Sequence, residues 1–420
     1  MKRIVKQLFK LSSAWFPVWL ITLLMLIMIS VYLPVFIGAN KNLTNVPLIV
    51  VNEDQGPAGD LILLNLKENQ NEHSFKWYHA ESEKTALEEL KNNQAYGALI
   101  IPSNFSKQIS RVDDALLTRN ESGEPATLKI LLNEGIGQSA SMIASNVLQT
   151  VATSTSKEVS GNLKSKLDQN RVLLSSENAS LLDNPVQFTS ENVLGLPVNL
   201  NKGMTPFVMI IIASITGMMG ANMIRGYLRK AIDSDNGISL SNSKILKTEL
   251  IFSVILAFGV SSVSQLGVFG FFGSSHSSSI LVIFPFSFFC CLTMVFLFKS
   301  LSLIFGGWGM LVMFPVNIMG IFSSGGPIPL STLPIVHRLF SYILPTKYMV
   351  DGMRALLYYN GRMQAGLGTA LWAISIYFIV TLAIIIAFII YSSKGDRGNA
   401  TEEEEGKIQI PVDNEINPKE

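Results

Sequence analysis

Charge is what this sequence is shortest of. Only 15% of its residues are Asp, Glu, Lys or Arg, against about 25% in an average soluble domain, and that deficit argues against an ordinary cytosolic enzyme. The charges present nearly cancel: 32 basic and 31 acidic side chains leave a net +1, so the basic footprint that a nucleic-acid partner requires is missing. Cysteine occurs twice, side by side at Cys290 and Cys291. Adjacent thiols rarely bridge each other, so neither a disulfide framework nor a four-ligand zinc site can be built. The four histidines, His73, His79, His276 and His337, are scattered. His73 and His79 share a segment with Glu72 and Glu81, a grouping that reads as a solvated polar face rather than a metal site. The patterns G-x-x-x-x-G-K-[ST], H-E-x-x-H and G-x-S-x-G are all missing, which excludes a P-loop nucleotide hydrolase and the hydrolases that those other motifs mark. The chain is expected to be no enzyme and to hold no metal or cofactor.

What is there is apolar length. Hydrophobic residues make up 48% of the chain and mean hydropathy is +0.36. A bilayer core takes roughly 20 apolar residues of helix. Six stretches meet that length: Ala14–Gly38, Met204–Ile224, Leu250–Ser275, Ser277–Phe298, Ser300–Gly325 and Leu367–Tyr391. Lys299 alone separates the fourth from the fifth, which predicts a tight hairpin there. The first run is longer than the roughly 7–15 residues of a signal-peptide core and no A-x-A site follows, so it is expected to stay as a helix. Orientation follows the lysines and arginines. Residues 1–13 carry Lys2, Arg3, Lys6 and Lys10 with no acid, which puts the N-terminus in the cytoplasm. Six crossings return the loop 225–249 and the tail 392–420 to the same side. The stretch 39–202 then lies outside, with 14 basic and 19 acidic side chains.

That outer stretch alternates strand and helix signals. Val46–Asn52, Phe75–Tyr78, Tyr96–Pro102 and Thr127–Leu132 read as strands. Ala58–Leu66, Glu81–Asn92 and Asn104–Ile109 read as helices. This is the order of an α/β domain. Spaced apolar residues from Gly135 to Leu182 predict one or two long amphipathic helices, free to project outward or to pack on the sheet. Asp183–Asn201 reads as a linker. Sequons at Asn42, Asn104, Asn120 and Asn178 are expected by chance in a chain this rich in Asn and Ser.

The segment 326–366 is the most informative. Gly325, Gly326 and Pro327, with Pro329 and Pro334, prevent a continuous helix, and Pro345 separates two short amphipathic helices. Asp351 and Arg354 are spaced to form an ion pair on one helix face, which orients the helix. Within the spans the side-chain amides are Asn222, Gln265 and Asn317, candidates to line a path. No carboxylate, histidine or lysine falls inside them, which disfavours an ion-coupled carrier. Ala213, Gly217 and Ala221 form a small-residue stripe for close helix packing, as an internal seam or a dimer contact. In the loop 225–249, Arg225, Arg229, Lys230, Lys244 and Lys247 suit either anionic inner-leaflet lipid or an acidic docking cleft.

One helix, a large outer domain and then five helices resembles the ABC-2 superfamily of exporter permeases. In the outer domain the resemblance rests on a strand ending in Val51-Asn-Glu-Asp54 with a glycine after it, and on Leu99-Ile-Ile-Pro-Ser-Asn-Phe-Ser106. In the last third, Phe305-Gly-Gly-Trp-Gly309, Ser323-Ser-Gly-Gly-Pro-Ile-Pro-Leu330 and Leu344-Pro-Thr-Lys-Tyr-Met-Val-Asp-Gly-Met-Arg354 are similar to the YhgE/Pip (phage infection protein) branch. Classical members carry a Glu-Arg-Glu-x-Gly-Thr-like stretch for docking on their ATPase. Here the corresponding residues, Arg225-Gly-Tyr-Leu-Arg-Lys-Ala-Ile-Asp233, keep only its basic character. The resemblance implies a polytopic α-helical membrane protein with an α/β extracytoplasmic domain. It implies that 326–366 forms partly re-entrant helices near the exit of a transport path. It also implies a bacterial cell-membrane location and work as a homo- or heterodimer with a separate ATP-binding subunit, exporting amphiphilic or lipid-like compounds. The alternative is a non-transporting surface protein, a phage receptor or a scaffold for envelope or secretion machinery.

Overall fold

The computed structural model describes residues 43–68, 74–118, 123–195, 203–234 and 241–408, with scattered helical positions between 19 and 35. Most of the first expected span, 14–38, thus lies outside the described residues, as do 1–13, His73, Asn42 and Asn120.

The outer domain is a five-stranded sheet in the order β2-β1-β3-β4-β5. The strands are β1 (Val46–Asn52), β2 (Phe75–Ala80), β3 (Gly97–Ile101), β4 (Ala126–Leu132) and β5 (Val186–Asn192). β1 runs parallel to β2 and β3, β4 is antiparallel to β3, and β5 is parallel to β4. The central strands β1 and β3 read as unbroken apolar runs because both faces are covered. On one face Leu48, Val50, Leu99 and Ile101 meet α1 (Pro57–Glu68), α3 (Phe105–Thr118) and α4 (Gln138–Gln169). On the other, Ile49, Val51 and Ile100 meet α2 (Glu83–Lys91).

One expectation is corrected here, and one open choice is decided. The stretch 183–201 is not all linker: it contributes β5, which the sequence hides because Gln187, Thr189, Ser190 and Glu191 are polar. An edge strand exposed on both faces needs no apolar pattern. The long helix α4 packs on the sheet instead of projecting. Ala140, Ala144, Leu148 and Ala152 line its buried side at four-residue spacing. A short helix α5 (Ser176–Asp183) follows, and Leu163, Leu167 and Leu181 join α4 to α3 and α5. Asn178 is 1% exposed, which closes that sequon to a glycan.

The two outer-domain motifs fold against each other. Asp54 Oδ1 accepts from Ser106 N at 3.2 Å, and Oδ2 accepts from Ser106 Oγ at 2.5 Å and from Gly59 N at 3.2 Å. One carboxylate thus caps the starts of both α1 and α3. A side chain at Gly56 would lie 2.3 Å from Ser106 Oγ, hence the glycine. Asp54→Ala is expected to destabilise the outer domain by about 2 kcal/mol, two caps at roughly 1 each. Thermal unfolding of the full chain, followed by protease release of the outer domain, reads it.

Among the described residues, four stretches are long and apolar enough to cross a bilayer: Thr205–Ile232, Asn242–Phe271, Ile280–Phe322 and Leu367–Gly395. They carry α6 (Thr205–Ser234), α7 (Asn242–Gln265, continuing as a π turn over Leu266–Phe271), α8 (Ile280–Phe305), α9 (Gly309–Phe322) and α12 (Leu367–Ile408). The third stretch holds two helices folded back on each other. Ser277, just before α8, donates to Leu357 O at 2.7 Å, and Gly325, just after α9, accepts from Arg354. The start of one helix and the end of the other therefore reach the same segment. The hairpin turns at Gly306, whose φ is +53°, and not at Lys299. The reason is that Lys299 is 3% exposed and paired inside the helix packing, so its charge marks no boundary. The stretch 225–249 likewise is no open loop: α6 runs on to Ser234 and α7 starts at Asn242.

Candidate functional site

The chain leaves α9 through a turn that only glycine permits. Gly325 has φ +72°, and a side chain at Gly326 would strike the Phe207 ring at 2.3 Å. Pro334 caps α10 (Ile335–Ile343), and Pro345 opens α11 (Pro345–Tyr358) at its first turn, where the missing N–H costs nothing. α10 is inverted. His337 and Ser341 are buried, while Ile335, Val336, Leu339, Tyr342 and Ile343 are exposed. Such a helix sits comfortably only where its surroundings are apolar. α11 is nearly all buried.

The outer domain is bonded onto this segment. Thr44 N and Oγ1 donate to Ser331 O at 3.0 and 2.7 Å, and Arg338 Nη1 donates to Thr44 Oγ1 at 3.0 Å. Ser139 Oγ donates to Pro327 O at 3.0 Å, and Arg362 reaches Glu88 at 2.8 Å. The Arg362 guanidinium holds the Glu88 carboxyl below its usual range. At the centre, Tyr359 Oη donates toward Asn133 Oδ1 at 2.7 Å and Asn93 Oδ1 at 3.1 Å. Asn133, 0% exposed, gives its amide hydrogens to Ala95 O at 3.1 Å and Leu90 O at 3.4 Å.

Burial pushes the Tyr359 hydroxyl well above the ordinary tyrosine range, so it stays a neutral donor. Since the folded value is raised above the unfolded one near 10, this contribution is complete below about pH 10 and is lost as pH climbs through the folded value. Tyr359→Phe takes from the buried Asn133 Oδ1 the hydroxyl it accepts from, while Asn93 Oδ1 keeps the Asn133 amide. It is expected to cost about 1–3 kcal/mol at neutral pH and to remove that alkaline dependence, as melting curves of both proteins would show.

Between the two parts lies a cavity of about 290 Å³, lined by Asn93, Gln94, Tyr96, Lys347, Asp351 and Arg354 among others. Arg354 Nη1 donates to Asp351 Oδ1 at 3.2 Å and Nη2 to Gly325 O at 3.3 Å, while Lys347 Nζ lies 3.5 Å from Asp351 Oδ2. The structure thus brings Gly325, Asp351 and Arg354 to one place. Pro327 meets α4 through its carbonyl, and Pro345 is buried at the head of α11.

The remaining candidates are elsewhere. Asn317, on α9, accepts from Ser214 Oγ at 2.5 Å; Asn222, on α6, donates to Met218 O at 3.0 Å and sits 3.4 Å from Met310 Sδ. Both amides lie on the α6–α9 seam. Gln265 is buried on α7, apart from them. Arg229, Lys230, Lys244 and Lys247 are exposed at the neighbouring ends of α6 and α7. Arg225 turns inward to Glu249 at 3.5 Å, and Glu249 also pairs with Lys299. Lysine and carboxylate therefore do lie within the helix bundle, where the sequence reading placed none: one supplies the other's counter-charge. Along the α6–α7 groove run two apolar cavities of about 600 Å³ each, which share Val260.

Sequence reasoning missed Tyr96, Asn133 and Tyr359. Asn133 follows a buried strand and Tyr359 ends a helix, and nothing in a single sequence marks two such polar groups as partners 226 positions apart. No group of three metal-ligating side chains converges among the described residues.

A family model described as "ABC-2 family transporter protein" matches residues 15–392. A protein of Bacillus subtilis (strain 168), titled "Uncharacterized protein YhgE", is 28% identical over 151 residues. That match takes in 34% of this chain and 18% of the relative, so less than a fifth of the relative's length is spanned. With a helical bundle long enough to cross a bilayer and a family match over nearly its whole length, the chain belongs to the ABC-2 family of transporter proteins.

Proposed function

We propose that this chain is the membrane permease subunit of an exporter for amphiphilic or lipid-like compounds, powered by a separate ATP-binding subunit and working as a homo- or heterodimer. It would cross the bacterial cell membrane six times, counting 14–38 and the two helices of the Ile280–Phe322 stretch, with both termini in the cytoplasm and 39–202 outside. The observation that carries this reading is the docking of the outer domain on the inverted helix α10 and the buried helix α11. A domain bonded at that many points moves with the segment beneath it, as a gate over an exit would. The apolar α6–α7 groove and the small number of buried charges suit an apolar or amphiphilic cargo. Arg229, Lys230, Lys244 and Lys247 supply an exposed basic patch for an ATPase or for anionic lipid, whereas Arg225 serves the fold. Asn222 and Asn317, on one helix seam, would line the path if that seam opens; Gln265 would act apart from them.

Purification of the full chain from its native membrane tests the reading. Co-purification of an ATP-binding subunit and nucleotide-dependent movement of a fluorescent lipid in liposomes are the expected results. Absence of both sinks it. Removing 46–182 then separates export from the receptor or scaffold alternative: an exporter keeps its ATPase bound, and a receptor loses every measurable function.

A further inference from the structure

We infer that the cavity between the outer domain and the broken helix pair binds one anionic headgroup, a phosphate or a carboxylate, presented from the outer side. Two cations in its wall, Lys347 and Arg354, share the single carboxylate of Asp351. The wall therefore keeps one positive charge in excess. Arg354 is 4% exposed, and its Nε has no hydrogen-bond partner although both terminal nitrogens are engaged. A buried cation that must share its one counter-ion is only partly compensated, which is costly, and an anion in the cavity would offset this with charge-assisted bonds. The Tyr96 hydroxyl, hydrogen-bonded to Ser331 at 3.3 Å, adds no charge, since burial pushes its ionisation up. Lys347 is held from the other side by the Tyr348 ring at 4.9 Å and the Tyr342 ring at 5.6 Å, so the ammonium is positioned rather than free to swing out. Gln94 and Gln364, both exposed, stand at the mouth with amides for the rest of a polar head. At about 290 Å³ the space takes a phosphate with a few further atoms and has no room for an acyl chain.

The shared chemistry has two sources, the headgroup of an outer-leaflet lipid and a free phosphorylated solute. The inference deepens the export reading by putting charge on the head of the cargo. Its test is run on the full chain without any ATPase, so failed transport with intact binding would count against export alone, and intact transport without binding against this site alone. In one arm, glycerol 1-phosphate is titrated into the chain in detergent. In the other, the chain is placed in nanodiscs of phosphatidylglycerol or of phosphatidylcholine, and retained lipid is counted by native mass spectrometry. Saturable binding in the first arm alone assigns the site to soluble phosphates; retention of phosphatidylglycerol in the second assigns it to lipid. In either case Lys347→Gln and Gln364→Glu are expected to weaken binding at least tenfold with an unchanged melting temperature. Gln94→Glu, at the exposed mouth, replaces Lys347→Gln if that variant does not fold. No saturable binding in either arm, or equal binding by wild type and variants, overturns the inference.

Discussion

Glu249→Leu is expected to lose about 3–5 kcal/mol, enough to leave most of the protein unfolded or aggregated in detergent. Glu249 and Lys299 have side chains 2% and 4% exposed, and the carboxylate is the counter-charge for the ammonium. Removing it strands a lysine inside the bundle formed by α6, α7 and α8. Lys299→Met is expected to be nearly as damaging, because it leaves Glu249 to Arg225 alone at 3.5 Å, and that guanidinium is 30% exposed and shared with water. The double variant Glu249→Leu with Lys299→Met removes both charges and keeps the volume filled. It should recover most of the loss, since a buried pair replaced by apolar residues is often neutral or better. Melting of all four proteins by fluorescence-detected size exclusion gives the cycle. A double variant as weak as the sum of the singles, or a single variant that melts like wild type, would show that the pair does not hold these helices together.

That pair also shows where a sequence can be read and where it cannot. Apolar runs located every described helix of the bundle, because lipid-length hydrophobicity is a local property of the chain. Lys299 was misplaced because a count of hydropathy treats each charge as a boundary; only tertiary contact shows that Glu249, fifty positions earlier, neutralises it. The buried strands β1 and β3 were legible from their continuous apolar residues and β4 from its apolar residues on either side of Lys129, whereas β5 was not, since an edge strand is defined by its neighbour's hydrogen bonds and not by its own side chains. The glycines and prolines around 325–345 announced a broken helix. The inverted face of α10 was visible only as amphipathicity, with no sign of which side faces the protein. The cavity at Arg354 was legible only in part: Gly325, Lys347, Asp351, Arg354 and Gln364 share the one segment that the sequence marks, whereas Tyr96 comes from the outer domain and the fold alone makes it their neighbour.

Gly217→Val is expected to separate α6 from α8 and to abolish folding of the bundle. A side chain built at Gly217 would lie 2.6 Å from the backbone carbonyl carbon of Met294 and 2.7 Å from its oxygen, and backbone cannot rotate aside as a side chain does. Ala213 and Ala221, 5% and 2% exposed, flank it on the same face, so the small-residue stripe is an internal seam between the most extensively packed helices of the chain. Even Gly217→Ala should cost about 1–3 kcal/mol through forced separation; the valine adds bulk and a stiffer rotamer. Gly226 lies on the same helix and is exposed, with nothing within 4 Å of an added methyl. There Gly226→Ala should stabilise by about 0.5–1 kcal/mol, because alanine loses less freedom than glycine on entering a helix. Opposite signs at two glycines of one helix, read as melting temperatures in the same detergent, separate close packing from helix propensity. If Gly217→Ala melted as high as wild type, α6 and α8 would not be in contact at that turn, and the arrangement of the bundle around them would have to be different.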